Sequence, residues 1–182
     1  MEIRTDRLLL RELEETDAAV CNEYERDPEV VRYQSSDVRS LQESLEYIQR
    51  GRKAILASPR LTFDLAVVLP GEGRLIGRAG IHVNDPESRE ATIWYVLHPA
   101  QWGKGYIVEA MTALIDHGFG ELGLHRVTAD CDPGNHASAR VAEKLGMRRE
   151  AHFVENAWIK GVWVDSLIYA ILDREWKARS RT

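Results

Sequence analysis

Gly103 and Gly105 flank a lysine in the sequence Gln101-Trp-Gly-Lys-Gly-Tyr106, between a predicted strand and a predicted helix. Glycine lacks a side chain, so backbone N–H groups approach an anion closely, and the positive N-terminus of the next helix lies behind them. Lys104 adds a point charge. The pattern predicts phosphate binding, and the alternative is a turn that uses glycine only for backbone freedom.

Two standard nucleotide-binding loops do not fit this stretch. A Walker loop needs glycine five positions before Gly103, where the chain has His98, and Ser or Thr after Lys104, where it has Gly105. A dinucleotide loop needs a third small residue where this chain has Val108, and it follows the first strand of its fold, whereas this loop follows a later one. Both nucleotide readings are therefore excluded.

A second set of polar residues opens a later predicted helix. Asn135 and Ser138 are three residues apart and share one helical face, which fits either a ligand contact or an ordinary helix cap. Arg140 and Lys144 follow at helical spacing on the same helix. These two cations fit either a phosphate contact or a solvated surface.

Hydrophobic periodicity and turn signals predict the elements that position these residues. A strand over 7–13 is followed by a helix after Thr16-Asp17, a helix from Ser40 to Pro59, an antiparallel meander, a helix, a strand, a helix and a hairpin. The meander and later elements are predicted at 61–69, 75–83, 91–97, 106–122, 125–131, 137–145, 153–159 and 162–172. This order predicts one α/β (α+β) domain over 1–182, with a mixed, mostly antiparallel sheet of about seven strands flanked by helices.

The composition excludes several classes of protein. The chain has 182 residues, 44% hydrophobic and 29% charged, with a net charge of -5, which is unlike a disordered chain or a nucleic-acid-binding surface. No apolar run approaches a membrane span, and the charged N-terminus does not resemble a signal peptide. Two cysteines, Cys21 and Cys131, are too few for a disulfide framework or a thiolate metal site, so we expect no metal and a cytoplasmic location.

The motifs together resemble one family, the GNAT N-acetyltransferases, and most closely its ribosomal-protein N-terminal acetyltransferase branch of the RimJ/RimL type. The likeness spans nearly the whole chain, and the set of motifs in this order is specific although each piece alone is weak. The segments that carry it are Thr5-Asp-Arg-Leu-Leu-Leu-Arg, Asp27-Pro-Glu-Val-Val-Arg-Tyr33, Leu75-Ile-Gly77, Ile93-Trp-Tyr-Val-Leu-His-Pro with the glycine loop, His125-Arg-Val, Asp132-Pro-Gly-Asn135-His-Ala-Ser138, Glu143-Lys-Leu-Gly146-Met and Trp163-Val-Asp-Ser-Leu-Ile-Tyr169.

The resemblance implies acetyl-CoA as the acetyl donor. It implies that the loop holds the pyrophosphate, that the strand ending at Leu97 pairs with the pantetheine arm, and that this strand separates from Ala129–Cys131 to admit the thioester. It further implies that Asn135 bonds the pantetheine amide and that Ser138 lies near the sulfur. The helical spacing of Arg140 and Lys144 makes both candidates for a contact with the 3′-phosphate. The cofactor-binding residues expected are Tyr95, Leu97, Trp102, Gly103, Lys104, Gly105, Tyr106, Asn135, Ser138 and Arg140.

For catalysis, the resemblance implies that backbone N–H groups near Leu97 bind the oxyanion and that Ser138 protonates the departing thiolate. The chain departs from the wider family at three positions: the loop begins with Ala100, Thr92 replaces the usual Glu base, and Ala142 replaces a Tyr. The base is therefore left open, and its candidates are Glu90, Asp130 and His82.

The acceptor is expected to be a primary amine, either the α-amine of a protein N-terminus or a small amine. At pH 7 an α-amine costs about 1 kcal/mol to deprotonate and a lysine-like amine about 4.6 kcal/mol, so an enzyme without a positioned carboxylate does better with the former. The resemblance makes Tyr33 a candidate acceptor residue. Trp94 is a second candidate, and Trp94, Trp158 and Trp163 all fit either the acceptor groove or the core. The competing interpretation is a catalytically silent acyl-CoA-binding module. No nucleic acid or membrane partner is expected, and the oligomeric state is open, with a homodimer as one option.

Overall fold

A computed structural model describes residues 1–179, in which eight strands form one continuous sheet flanked by helices. The strands are β1 (Glu2–Arg4), β2 (Leu9–Glu12), β3 (Thr62–Leu69), β4 (Arg74–Asp85), β5 (Glu90–Leu97), β6 (Arg126–Cys131), β7 (Arg148–Ile159) and β8 (Val162–Leu172). The helices are α1 (Ala18–Glu25), α2 (Pro28–Val31), α3 (Leu41–Ala54), α4 (Tyr106–Gly120), α5 (His136–Lys144) and α6 (Asp173–Arg179).

The strands lie in the order β1-β2-β3-β4-β5-β6-β8-β7. Neighbours pair antiparallel except β5 and β6, which pair parallel because α4 crosses over between them. This parallel pair joins the meander to the C-terminal hairpin, and the candidate functional site lies beside it.

The two faces of the sheet carry separate hydrophobic cores. Strand alternation places Ile93 and Leu97 on the face covered by α4, with Met111 and Leu114 of that helix completely buried against it. Val96 lies on the opposite face, where α1 and α3 pack in a second cluster. We call these the α4 face and the α1–α3 face.

A buried ion-pair network crosses the α1–α3 face. Arg78 of β4 is almost fully buried, makes a short ion pair with Glu25 of α1, and pairs with Asp64 of β3 at 2.9 Å. Tyr47 of α3 donates a hydrogen bond to Asp64 at 2.8 Å, and Arg39 pairs with Glu25 at 3.1 Å. The two cations and two carboxylates balance, so the network connects α1 and α3 to the sheet without net charge.

Most of the predicted architecture is confirmed. The mixed, mostly antiparallel sheet, the meander, the long helix that begins at Tyr106 and the closing hairpin are all present. The helix predicted from Ser40 begins there with a capping box to Glu43, but it ends at Ala54 rather than at Pro59.

The sheet has eight strands rather than about seven. The extra strand, β1, is only three residues long and pairs with β2, so it has too few residues to show an alternation in the sequence. The first predicted strand is shorter than expected and spans Leu9–Glu12. The short helices α2 and α6 were not predicted, because four and seven residues carry little helical periodicity.

Candidate active site

The central sheet splits along the line between β5 and β6. The register of this pair runs from Glu90 opposite Arg126 to Ile93 opposite Ala129 and ends there. Beyond that point β5 continues to Leu97, held only by β4, while β6 continues to Cys131, held only by β8. A gap therefore opens between the carboxyl ends of the two strands, as the resemblance implies.

The backbone of β5 points into this gap. The N–H of His98 donates to the carbonyl of Ile76 on β4 at 2.8 Å, so the main-chain polar groups of Leu97 and Tyr95, which alternate with those of His98, face away from β4. The Leu97 carbonyl accepts a hydrogen bond from the indole Nε1 of Trp102 at 2.8 Å. The N–H of Leu97 and both polar groups of Tyr95 remain available to an extended ligand.

The glycine loop lies at the mouth of the gap. Gly103 and Gly105 have φ of +75° and +81°, a left-handed conformation that L-residues rarely adopt. Gly105 immediately precedes α4, and the first N–H groups of a helix have no partner inside it. Within residues 1–179, no hydrogen bond takes up the N–H groups of Gly103, Lys104, Gly105 or Tyr106. The loop therefore presents a set of unpaired donors with the geometry of an anion site.

Two residues that were not predicted, Arg7 and Glu109, hold this loop in place. The Arg7 guanidinium donates to Glu109 at 2.6 Å and to the Lys104 carbonyl at 3.1 Å, and it stacks on the Tyr106 ring at 4.7 Å. Thr5 also donates to Glu109 at 2.5 Å, and these bonds lower the pKa of the Glu109 carboxyl, against the effect of desolvation. The Thr5-Asp-Arg motif was the available signal, but it does not indicate its partner.

Helix α5 brings its first turn to the same gap. Asn135 caps the helix by accepting from the N–H of Ser138 at 3.1 Å, which confirms the capping role and leaves the side-chain amide N–H groups available. The Tyr95 hydroxyl donates to the Ser138 carbonyl at 3.4 Å, and burial raises the pKa of Tyr95 to about 12. Tyr95 thus fixes the start of α5 against β5.

The remaining predicted cofactor-binding residues lie on the outer part of the loop and of helix α5. Arg140 is exposed on α5, and it has no ion pair or hydrogen bond among residues 1–179. The Lys104 ammonium donates to Gln101 at 2.8 Å. Trp102 is half exposed and is anchored by its bond to the Leu97 carbonyl.

The acceptor candidates lie on the α1–α3 face. Trp94 rests on Gly80 of β4 so closely that a Cβ there would lie 2.2 Å from its ring, and Arg78 lies 5.3 Å from the ring centroid. Tyr33 follows α2, and its ring edge would lie 3.4 Å from a Cβ at Gly134 in the loop between β6 and α5. Tyr33 therefore lies beside the loop that follows β6.

Comparison with known proteins agrees with this geometry. Residues 7–148 match the model of an acetyltransferase (GNAT) domain. The chain belongs to the GNAT acetyltransferase family. It is 34% identical over 176 residues to a Bacillus subtilis protein described as the uncharacterized N-acetyltransferase YnaD, covering 97% of this chain and 99% of that one. A GNAT acetyltransferase structure from Bacillus anthracis superposes with a TM-score of 0.86 at 34% identity, covering 96% and 100% of the two chains.

This GNAT protein is an N-acetyltransferase, and acetyl-CoA is its donor. A more distant relative is named the ribosomal protein uS5-alanine N-acetyltransferase of Escherichia coli, at 28% identity over 108 residues, or 59% of this chain and 56% of that one. Among residues 1–179 no helix is long and apolar enough to cross a membrane, and no cluster of side chains suits a metal ion.

The three candidate bases of the acetyltransferase occupy different places. Glu90 begins β5, seven residues or roughly 23 Å along the strand from Leu97, and pairs with Arg126 at 3.0 Å. His82 lies opposite Thr92, in the closed part of the sheet, and contacts Thr62 at 2.8 Å. Glu90 therefore lies far from the open end of the gap, so its position does not favour the predicted catalytic role, and His82 lies in the closed part of the sheet.

Asp130 is the candidate that does lie in the gap. It is the first residue of β6 beyond the last pair with β5, and its carboxylate accepts a hydrogen bond from Ser166 of β8 at 3.4 Å. The pKa of Asp130 is raised because surrounding protein atoms reduce its solvation, an effect that Ser166 partly offsets. The sequence did not separate Asp130 from the other two candidates, because the strand register was unknown.

Cys131 and the pair of Trp158 and Trp163 are the remaining residues that the sequence singled out. Burial raises the pKa of Cys131 to about 11, so its thiol stays neutral. Trp158 and Trp163 form an exposed edge-to-face pair at the tip of the β7–β8 hairpin, with ring centroids 5.3 Å apart, so they are not core residues.

Proposed function

We propose that this enzyme transfers the acetyl group of acetyl-CoA to a primary amine, namely the α-amine of a protein N-terminus or of a small aminoacyl compound. The observation that carries the proposal is the parting of β5 and β6 at Ile93 and Ala129, directly beside a loop of unpaired N–H groups at the start of α4. The diphosphate and the thioester of one ligand can therefore bind side by side, the diphosphate at the loop and the thioester in the gap.

The donor residues take roles that follow from their positions. The N–H groups from Gly103 to Tyr106 hold the diphosphate, and the free polar groups of Tyr95 and Leu97 pair with the pantetheine arm in the manner of an added strand. The Asn135 amide meets a pantetheine carbonyl, and the exposed Arg140 guanidinium meets the 3′-phosphate.

Acetyl transfer proceeds by direct attack of the amine on the thioester. The nitrogen lone pair forms a bond to the carbonyl carbon, and the resulting oxyanion accepts a hydrogen bond from the Leu97 N–H. The carbon–sulfur bond then breaks, and the hydroxyl of Ser138, at the start of α5, gives a proton to the thiolate. Ser138 recovers a proton from the nitrogen, so the products are a neutral amide and CoA thiol.

The preference for an α-amine rests on proton affinity. The usual Glu of the family is Thr92 here, and an α-amine needs about 1 kcal/mol for deprotonation at pH 7 against about 4.6 kcal/mol for a lysine-like amine. A relative named for acetylation of an alanine N-terminus supports the same class. We place the reaction in the cytoplasm and retain a homodimer as the proposed assembly, to be tested by sedimentation.

The experiment is a thiol-release screen combined with calorimetry. Acetyl-CoA is titrated into the protein, and CoA release is then followed with peptides of varied first residue, an N-blocked lysine peptide and spermidine. We expect micromolar to millimolar donor binding and the highest kcat/KM with an unblocked peptide. Binding without release across the whole panel would instead establish the silent acyl-CoA-binding module, and absence of binding would reject both.

A further inference from the structure

Strand β8 extends past the end of its neighbour β6. The pairing of the two strands ends where Cys131 lies opposite Leu167, whereas β8 already begins at Val162. After Cys131 the chain leaves the sheet in a tight turn, in which the N–H of Asn135 donates to the carbonyl of Asp132 at 2.9 Å. Within residues 1–179, the first part of β8 therefore has β7 on one side and the open gap on the other.

The hydrogen bonds of β8 show which of its main-chain groups face the gap. The N–H of Asp173, just after β8, donates to the carbonyl of His125 at 3.1 Å, on the side of β6. Because the main-chain groups of successive strand residues point to opposite sides, every second residue back from Asp173 also faces that side. The irregularities of the hairpin lie in β7, so this alternation holds along β8. Trp163 and Asp165 therefore direct their N–H and carbonyl groups into the gap, whereas Val164 faces β7.

The main-chain groups of Trp163 and Asp165 have no partner. In the part of the chain that the structure describes, no hydrogen bond takes up the N–H or the carbonyl of either residue, although the side chain of Asp165 is bonded. Two donors and two acceptors thus form an open strand edge along one side of the gap. An edge of this kind is a template for an added strand.

Side-chain hydrogen bonds hold this edge in place. The Asp165 carboxylate accepts from the His152 ring at 2.7 Å and from the N–H of Glu155 at 2.9 Å, and both partners belong to β7. At the tip of the hairpin, the Lys160 ammonium donates to the carbonyl of Val31 in α2 at 2.6 Å. The edge is therefore positioned before a ligand arrives, which reduces the entropy lost on binding.

The two sides of the gap serve different parts of the reaction. In the proposed function the free groups of Tyr95 and Leu97 on β5 take the pantetheine arm, so the edge of β8 is left for the acceptor. The gap is closed at its inner end, where β5 and β6 pair at Ile93 and Ala129. A chain that lies along β8 therefore reaches the thioester only with its end. A polyamine also ends in an amine, but it has no amide groups to pair with the strand edge.

We infer that the acceptor binds as an extended peptide that adds a strand antiparallel to β8 and pairs with the main chain of Trp163 and Asp165. This inference rests on the proposed function and narrows its acceptor to the N-terminus of a polypeptide. In such a pairing every second acceptor residue exchanges hydrogen bonds with the edge. The side chains of the acceptor are then free to vary, whereas a proline at a paired position loses a hydrogen bond.

The first test uses the wild-type enzyme and the best unblocked peptide of the screen described above. The peptide is N-methylated at one amide at a time, from its second residue to its sixth. We expect kcat/KM to fall about tenfold at two positions that are two residues apart, because each methyl group removes a paired N–H, and to stay within about threefold at the others. Equal losses at neighbouring positions, or no loss at any position, would overturn the inference.

The second test removes a donor from the enzyme. Asp165→Pro loses the N–H that faces the gap but keeps the pairing of β8 with β7, because that N–H points away from β7. Asp165→Ala is the matched reference, since it loses the same side chain and keeps the N–H. We expect kcat/KM with the peptide to be about tenfold lower in Asp165→Pro than in Asp165→Ala, with the same acetyl-CoA affinity in both. Equal kcat/KM values of the two variants would contradict the pairing.

The outcomes distinguish this inference from the proposed function. CoA release with the peptides but without the alternation would overturn the inference and leave the proposed function intact. Failure of the wild-type protein to bind acetyl-CoA would overturn the proposed function itself.

Discussion

Substitution of Gly105 by alanine isolates the contribution of the bare backbone at the start of α4. Gly105 has φ of +81°, where an L-residue costs roughly 1–2 kcal/mol. The nearest atom to a Cβ there is a nitrogen of Arg7 at 3.6 Å, an ordinary contact, so the variant should fold. For a chain of this size the strain corresponds to a fall in Tm of about 2–8 °C.

The same methyl group would also project into the space that the diphosphate has to approach. We expect Gly105→Ala to bind CoA at least tenfold more weakly, a loss of about 1.4 kcal/mol. The matched control is Gly123→Ala, because Gly123 has φ of +63°, no atom within 4 Å of a Cβ, and a place beyond the opposite end of α4. Calorimetry with CoA and thermal unfolding by circular dichroism measure the two effects separately.

The expected result is equal destabilisation of the two variants with loss of CoA affinity only in Gly105→Ala. If Gly105→Ala bound CoA as tightly as wild type, the N–H groups of this loop would not hold the diphosphate. If both variants lost affinity equally, the loss would come from a general loosening of the fold. Either outcome would refute the assignment of the loop.

Three other perturbations test the donor site and the fold. Arg7→Ala should weaken CoA binding about three- to tenfold by releasing Glu109 and the Lys104 carbonyl. Arg4→Ala, which removes an exposed arginine that pairs with Glu2, should leave CoA binding unchanged, and calorimetry measures both affinities. Ser138→Ala should lower kcat about tenfold in the thiol-release assay with unchanged acetyl-CoA affinity, while Thr92→Ala should keep the wild-type kcat/KM. If Ser138→Ala had the same kcat as wild type, Ser138 would be excluded as the proton donor. Arg78→Met should reduce the free energy of unfolding by about 3–5 kcal/mol because it leaves the buried Asp64 carboxylate without a cation and Glu25 with Arg39 alone, and Arg74→Met on the exposed start of β4 should be neutral in urea titrations.

The local features of the donor site could be predicted from the sequence. Gly103 and Gly105 before an amphipathic helix indicate a turn with positive φ and an exposed helix N-terminus, because glycine alone adopts that conformation at little cost. Asn135 at the start of α5 is recognisable as a cap for a similar reason. These interactions lie within a few residues of one another, so local sequence suffices to determine them.

The contacts between distant segments were decided only by the tertiary structure. Arg7 and Glu109 are 102 residues apart, and no local preference of either residue indicates the other. Likewise, Glu90 and Asp130 are equivalent as carboxylates in the sequence, yet one lies in the paired part of the sheet and the other in the gap. A shift of one residue in the register of β5 against β6 would place Trp94 and Asp130 on opposite faces of the sheet, and that register is set by side-chain packing on both sides of the sheet. The sequence by itself therefore determined the glycine loop and the order of elements, whereas packing between segments decided which carboxylate lies beside the gap.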